Sequence, residues 1–247
     1  DLFGFGLDRM SLALLSQRAE NLFVGVNCGI MDQFASGMGL KDHALFLNCD
    51  TLEHERVPLR LEGMKIVIAN TNKRRGLADS KYNERRAQCD AAVEALRSGK
   101  PIRNLSDLTM EEFTQYAHLI TDEVVRKRAR HVISENSRTL AAVDALNKGE
   151  IRLFGELMYQ SHESLRADYE VTGPELDALV DEARKIDGTI GSRMTGAGFG
   201  GCTVSILQEE AVETFIRDVG AAYKEKTEVN PDFYVAEIGD GSKRVEP

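Results

Sequence analysis

The chain has 247 residues, 42% of them hydrophobic and 29% charged, a globular composition with length for one large domain or two smaller ones. Its 31 Lys and Arg against 40 Asp and Glu leave a net charge of −9, which argues against nucleic acid as a partner, and no apolar run is long enough to span a bilayer. Cys28, Cys49, Cys89 and Cys202 fit neither a zinc spacing nor a dense disulfide framework, and no leader-like pattern is present, so the expectation is a reduced cytoplasmic protein.

Apolar groups at Leu7, Met10, Leu14, Leu15 and Ala19 recur at helical spacing and predict a helix over 7–21. A glycine-punctuated stretch, 24–39, follows. Three β-like runs come next, over 44–48, 56–61 and 64–70, the last apolar enough for a buried strand. Helical patterns then dominate over 81–97, 109–118, 122–147, 151–168 and 174–186. Thr109 with Glu112, and Thr172 with Glu175, have the spacing of a capping box, and Asp187-Gly188 is a plausible stop. The end reads strand, glycine cluster, strand, helix, strand, over 189–195, 202–207, 209–226 and 233–238. The fold class is α+β, with a boundary near 50–65 or a sheet shared across it.

Gly196-Ala-Gly198-Phe-Gly-Gly201 matches the G-x-G-x-x-G dinucleotide fingerprint in letters only. That fingerprint must open a helix whose amides meet a pyrophosphate, whereas Cys202–Leu207 alternates as a strand does. It also lacks the Gly-Lys-Ser/Thr of a P-loop. Two readings remain for the five glycines of 191–201: a tight hairpin needing several positive φ angles, or a backbone that approaches a ligand closely. The loop Cys28-Gly-Ile-Met-Asp32-Gln sets one carboxylate among small and apolar residues, where partial desolvation is expected; on the residues alone a turn or helix-cap Asp is the plainer reading. Lys73, Arg74 and Arg75 follow the strand at 64–70 with three cations, which are either a solvated face or a cluster able to hold an anion. His43, His54, His118, His131 and His162 form no metal-ligand pattern, and Arg126-Lys-Arg-Ala-Arg130 reads as a solvated helix face.

Gln17-Arg-Ala-Glu-Asn21 with Val24-Gly-Val-Asn-Cys-Gly-Ile-Met-Asp-Gln-Phe-Ala-Ser36 resembles the galactokinase segment that holds the catalytic Asp. Asn70-Thr-Asn-Lys-Arg-Arg with Ser80-Lys-Tyr-Asn-Glu-Arg-Arg-Ala-Gln-Cys89 resembles the galactokinase stretch bearing a sugar-contacting Tyr, and 191–202 resembles the third motif of the wider GHMP small-molecule kinases. The resemblance implies a two-lobed architecture: the end of an S5-like N-terminal lobe over 1–60, then a ferredoxin-like C-terminal lobe over 61–247. It implies phosphorylation of α-D-galactose at its 1-hydroxyl by ATP with Mg²⁺. Asp32 would be the catalytic base or electrostatic partner, and Gly29 would give the sugar room. Tyr82 would bind the sugar, Glu20 would hold the magnesium, and Arg74, Gly196 and Gly198 would contact the nucleotide. The family's opening sugar motif and its Gly-Leu-Ser-Ser-Ser-Ala phosphate motif both align ahead of Asp1. Apolar surface belonging against that front part is therefore expected to be exposed. A non-catalytic galactose and ATP sensor, a kinase for a related sugar such as N-acetylgalactosamine, and an inactive remnant are the competing readings.

Overall fold

The structure, a computed structural model, describes residues 4–73 and 78–243. The chain divides into two compact units, one running to Leu61 and taking up the C-terminal stretch from Glu237, the other Glu62–Ala236.

In the first unit, helix α1 (Arg9–Ala19) is capped by Asp8, whose carboxylate accepts from the Ser11 amide at 2.7 Å. It runs into a widened π turn, Glu20–Val24, closed by Gly25 at φ 86°. A second short helix, α2 (Met31–Met38), and a hairpin of β1 (His43–Leu47) and β2 (His54–Pro58) complete the unit. Ala13, Ile30 and Phe34 form its core, with Met10, Met38, Leu45, Leu47 and Leu52 against them. The C-terminal stretch is stitched to the end of α2: Gly241 N–H donates to Gly39 at 2.8 Å and Ser242 N–H to Ser36 at 2.7 Å. A Cβ on Gly241 would stand 2.8 Å from the Gly39 nitrogen, so this crossing requires glycine. Leu12, Leu15, Leu22, Phe23 and Val24 are exposed, Phe23 at 92%. The expected apolar surface is thus present on this unit.

The second unit is built on an antiparallel sheet of β3 (Met64–Asn70), β4 (Thr189–Thr195), β5 (Cys202–Gln208) and β6 (Asp232–Ala236), in the order β4-β5-β3-β6. Its chain order, β3, helical crossover, β4, β5, helix, β6, is the ferredoxin-like plan with an enlarged first crossover. That crossover carries α3 (Ala78–Arg97), α4 (Met110–Tyr116), α5 (Glu123–Lys148), α6 (Ile151–Ser164) and α7 (Gly173–Ala183); α8 (Val212–Thr227) makes the second. One sheet face, through Val67, Ala69 and Leu207, packs on Leu179 and Ala183 of α7 and on Phe215, Val219 and Tyr223 of α8. The Tyr223 hydroxyl is not left unpaired there, since it donates to the Thr71 carbonyl at 2.7 Å. A second, all-helical core joins Ala92 and Leu96 of α3 to Phe113 of α4 and to Ala129 and Ile133 of α5. Strand β4 and α6 meet at two glycines: a Cβ on Gly155 would lie 2.6 Å from the Ile190 carbonyl carbon, and one on Gly191 would lie 2.5 Å from the Gly155 Cα.

The capping box at Thr109 and Glu112 is formed, with bonds of 3.2 and 3.0 Å. The one expected at Thr172 and Glu175 is not. Thr172 has helical backbone angles and spends its hydroxyl on Asp177, while Glu175 pairs with Lys73 at 2.7 Å. Gly188 does take a left-handed φ of 90°, but α7 has already ended at Ala183.

Candidate functional site

In the first unit, α2 positions Asp32. Ile30 and Phe34, four residues apart and each two from Asp32, are buried and orient the helix, which leaves the Asp32 carboxylate exposed in the first turn at the positive end of the helix dipole. The expected desolvation is therefore absent within this unit. Asp32 lines a cavity of about 450 Å³ together with Arg9, Ser16, Gln33 and Ser36. The buried Gln33 Oε1 in that lining has no hydrogen-bond partner. Glu20, exposed, opens the π turn, and its carbonyl accepts from Gly25 and Val26 at 3.0 and 3.3 Å. Gln17 Nε2 donates to the Cys28 carbonyl at 3.3 Å, and the Cys28 thiol to Asn21 Oδ1 at 3.4 Å, tying the loop before α2 to α1. A Cβ on Gly29 would meet nothing within 4 Å, so packing within this unit does not require glycine there. No group of three or more His, Cys, Asp or Glu side chains suited to a metal occurs among the described residues.

In the second unit, Tyr82 and Gly196, far apart in sequence, line one cavity of about 370 Å³. Tyr82 stands one helical turn before Arg85 and two before Cys89 on the same face of α3. Tyr169, Val171 and Phe199 supply further walls. The glycine cluster is a hairpin, since β4 and β5 are paired neighbours and Met194 and Thr195 face Thr203 and Cys202. Gly196, Gly198, Gly200 and Gly201 all have positive φ, and Phe199 joins them at 58°. A strand flanks the loop on each side, so the loop opens no helix and the dinucleotide reading fails on geometry too. Close packing accounts for Gly198, whose Cβ would lie 3.0 Å from the Val171 carbonyl carbon, whereas Gly196 faces open space. Arg74 and Arg75 lie outside the described residues. Lys73, their neighbour, lies against Gly200 and pairs with Glu175.

The basic run 126–130 departs from the solvated face expected of it. Arg128 is 2% exposed and donates to Gln88 Oε1 at 3.1 Å, the Asp168 carbonyl at 2.6 Å and Glu170 Oε2 at 2.7 Å. That bond, with the surrounding cations, holds the Glu170 carboxyl below its usual range. Arg85, also buried, donates to the Tyr169 and Glu170 carbonyls at 2.7 and 3.0 Å. Neither arginine was distinguishable in the sequence from its charged neighbours. Burial pushes the Cys89 thiol and the Tyr169 hydroxyl up; the two lie 3.6 Å apart. A thiol held protonated is a poor nucleophile, so Cys89 is a wall rather than a reactive group. His131 stacks on Tyr169 at 4.5 Å, and burial pushes it down to about 4. His162 Nδ1 accepts from the Met194 amide at 3.2 Å, and its Nε2 lies 3.3 Å from Asp177 Oδ1. Burial raises the Asp177 carboxyl, but bonds from His162 and Thr172 and the Arg166 charge outweigh it and hold it below the usual range.

Comparison with known proteins agrees with this architecture. Residues 1–40 match the family model "GHMP kinases N terminal domain" and residues 142–225 the model "GHMP kinases C terminal". The solved structures of mevalonate kinase from L. major (16% identity, TM-score 0.57) and homoserine kinase from Cytophaga hutchinsonii (14%, TM-score 0.60) share the fold. The sheet, its glycine hairpin and the two matched domains are thus those of a GHMP kinase. Galactokinase of Fusobacterium nucleatum is 56% identical over 246 residues, 99% of this chain and 63% of that protein; galactokinase of Clostridium acetobutylicum is 54% identical over 245 residues, with the same coverage. The crystal structure of Lactococcus lactis galactokinase complexed with galactose superposes with a TM-score of 0.96 at 46% identity, covering 99% of this chain and 63% of that one. The chain is similar to galactokinases over nearly its whole length. It spans 63% of the length of these relatives.

Proposed function

We propose that this chain is the larger part of an enzyme that transfers the γ-phosphoryl group of ATP to the 1-hydroxyl of α-D-galactose. The observation that carries the reading is the convergence of Tyr82 and Gly196 on one cavity, in a chain similar to a galactokinase whose crystal structure is complexed with galactose. Tyr82 offers the sugar a ring face and a phenolic hydroxyl. The Gly196 backbone, with no side chain and open space in front of it, offers close approach to phosphate oxygens. Asp32 orients the attacking hydroxyl and accepts its proton. A carboxylate is a weak base for an alcohol, so positioning and charge neutralisation supply most of the rate in such a transfer. Arg9 lines the same cavity as Asp32.

Glu20 suits Mg²⁺: it is an exposed, hard oxygen donor, and one carboxylate completed by phosphate oxygens and water is a common way to hold this ion. When bound, the ion would neutralise phosphate charge. Arg74 remains a proposed phosphate contact, as a bidentate donor. Among the described residues no helix is long and apolar enough to cross a membrane. The cytoplasm is the proposed location, in keeping with a soluble sugar and nucleotide as ligands.

Calorimetric titration with galactose in the presence of a non-hydrolysable ATP analogue tests this reading. Saturable galactose binding, weakened in Tyr82→Phe and preferred over N-acetylgalactosamine, is the expected result. Absence of galactose binding, or equal binding by Tyr82→Phe and wild type, would overturn the placement of the sugar at Tyr82.

A further inference from the structure

Phe199 is the one residue with a side chain in the left-handed run 198–201, a conformation costly for an aromatic residue unless its surroundings enforce it. Its N–H donates to the Val171 carbonyl at 2.7 Å, and Gly198 packs on the same carbonyl. Its ring lies with Tyr169 against the cluster of Leu165, Val171, Leu176 and Met194, and the Arg85 guanidinium carbon is 5.8 Å from its centroid. Val171 itself follows Glu170, a second non-glycine residue in the left-handed region, at φ 54°. Two left-handed positions are therefore coupled through one carbonyl.

What holds Glu170 is a pair of buried guanidinium groups. The last carbonyls of the widened turn Leu165–Tyr169 that ends α6 have no helical partner. Arg128 from α5 takes the Asp168 carbonyl and the Glu170 carboxylate, and Arg85 from α3 takes the Tyr169 and Glu170 carbonyls. Glu84 and Gln88 orient the arginines in turn, at 2.7 Å to Arg85 Nη1 and 3.1 Å to Arg128 Nε. The planar fork of arginine serves two carbonyls at once, which a lysine cannot do.

We infer that Arg85, Arg128 and Glu170 form a clamp whose function is to set the backbone of the glycine hairpin, through Val171 and Phe199. Arg128 and Glu170 are positioning residues that reach the hairpin through that carbonyl, whereas Arg85 also lies over the Phe199 ring and lines the same cavity as Gly196. Arg85 also stands on the cavity wall one turn from Tyr82. The clamp thereby links the element bearing the proposed sugar residue to the loop bearing the proposed phosphate contact. This significance for catalysis rests on the function proposed above; the clamp itself does not.

The test is amide hydrogen exchange, resolved by residue, on the chain and on Arg85→Lys and Glu170→Gln, two conservative variants chosen because truncating the fully buried Arg128 risks unfolding. The Phe199 amide is expected to exchange at least tenfold faster in both variants, while the amides of Val204 and Ile206 inside β5 keep their wild-type rates. Glu170→Gly, which relieves the left-handed backbone but removes the carboxylate, is expected to leave Phe199 faster than wild type as well. Unchanged exchange at Phe199, with acceleration confined to 165–171, would reduce the arginines to a helix cap and overturn the inference. Equal acceleration at Phe199, Val204 and Ile206 would mean global destabilisation and would overturn it too. A separate arm adds Mg-ATP to the wild type. Failure of the nucleotide to slow exchange at 196–201 would overturn the phosphate reading of the hairpin and leave the clamp standing.

Discussion

His131 makes the stability of the second unit depend on pH, with a sign and size that follow from its setting. The ring is 5% exposed, stacked on Tyr169 and hydrogen-bonded to Ser164 Oγ at 2.9 Å. Burial is the main reason its pKa falls from 6.5 to about 4; Glu135 and Asp168 favour the imidazolium, and Arg138 and Arg193 oppose it. The unfolded chain therefore takes up a proton near pH 6.5 that the folded chain refuses until about pH 4. Stability is unaffected above 6.5 and lost progressively as the pH falls toward 4. At about 1.36 kcal/mol per pH unit the gap amounts to roughly 3 kcal/mol once the pH is below 4. Urea unfolding at half-unit steps from pH 8 to pH 4 measures it. His131→Phe, which keeps the stack but cannot titrate, is the control. Wild type should lose about 3 kcal/mol more than the variant across that range. Parallel pH profiles for the two proteins would refute the argument, whatever the variant's absolute stability.

Other substitutions probe separate parts of the account. Asp32→Asn should abolish phosphoryl transfer while leaving galactose affinity largely intact; near-normal turnover would remove Asp32 from the chemistry. Tyr82→Phe should weaken galactose binding by about tenfold, the worth of one hydrogen bond of about 1 kcal/mol or slightly more, in a calorimetric titration. Gly155→Ala drives a Cβ into the Ile190 backbone and should destabilise the second unit by about 3 kcal/mol in urea unfolding. Thr109→Ala removes the capping hydroxyl of α4 and should cost about 1 kcal/mol in the same assay, with no change in ligand binding.

Long periodic segments were legible because burial of one face leaves a period in the chain. Strand β3 falls on the expected residues 64–70, and α5 within a residue of the pattern over 122–147. Helix α2 was hidden. It has eight residues, with Gly29 two residues before it and Gly37 within it, so neither length nor periodicity announces it. The hairpin strands β1 and β2 begin one and two residues earlier than their patterns, because half-exposed strands leave a weak alternation. The return of the chain from Glu237 to the first unit rests on backbone hydrogen bonds and close glycine contacts, which no hydrophobic pattern records. At the site, motif resemblance picked out Asp32 and Tyr82 as single residues. Arg85, Arg128 and Phe199 escaped because their roles arise from tertiary neighbours: an arginine becomes a buried clamp only where orphaned carbonyls come within its reach. The glycine cluster was read as hairpin or ligand loop. Its geometry is a hairpin, whose Gly198 answers to packing and whose Gly196 is left free to meet a ligand.

The most direct test of the central claim is phosphoryl transfer by the full-length enzyme of which this chain is the larger part, with Mg-ATP, followed by ADP release and by phosphorus NMR of the product. The account predicts ADP release that depends on galactose, a phosphate on the anomeric oxygen, and loss of both in Asp32→Asn. Galactose-independent ADP release, phosphate at another hydroxyl, or no turnover at all would contradict it.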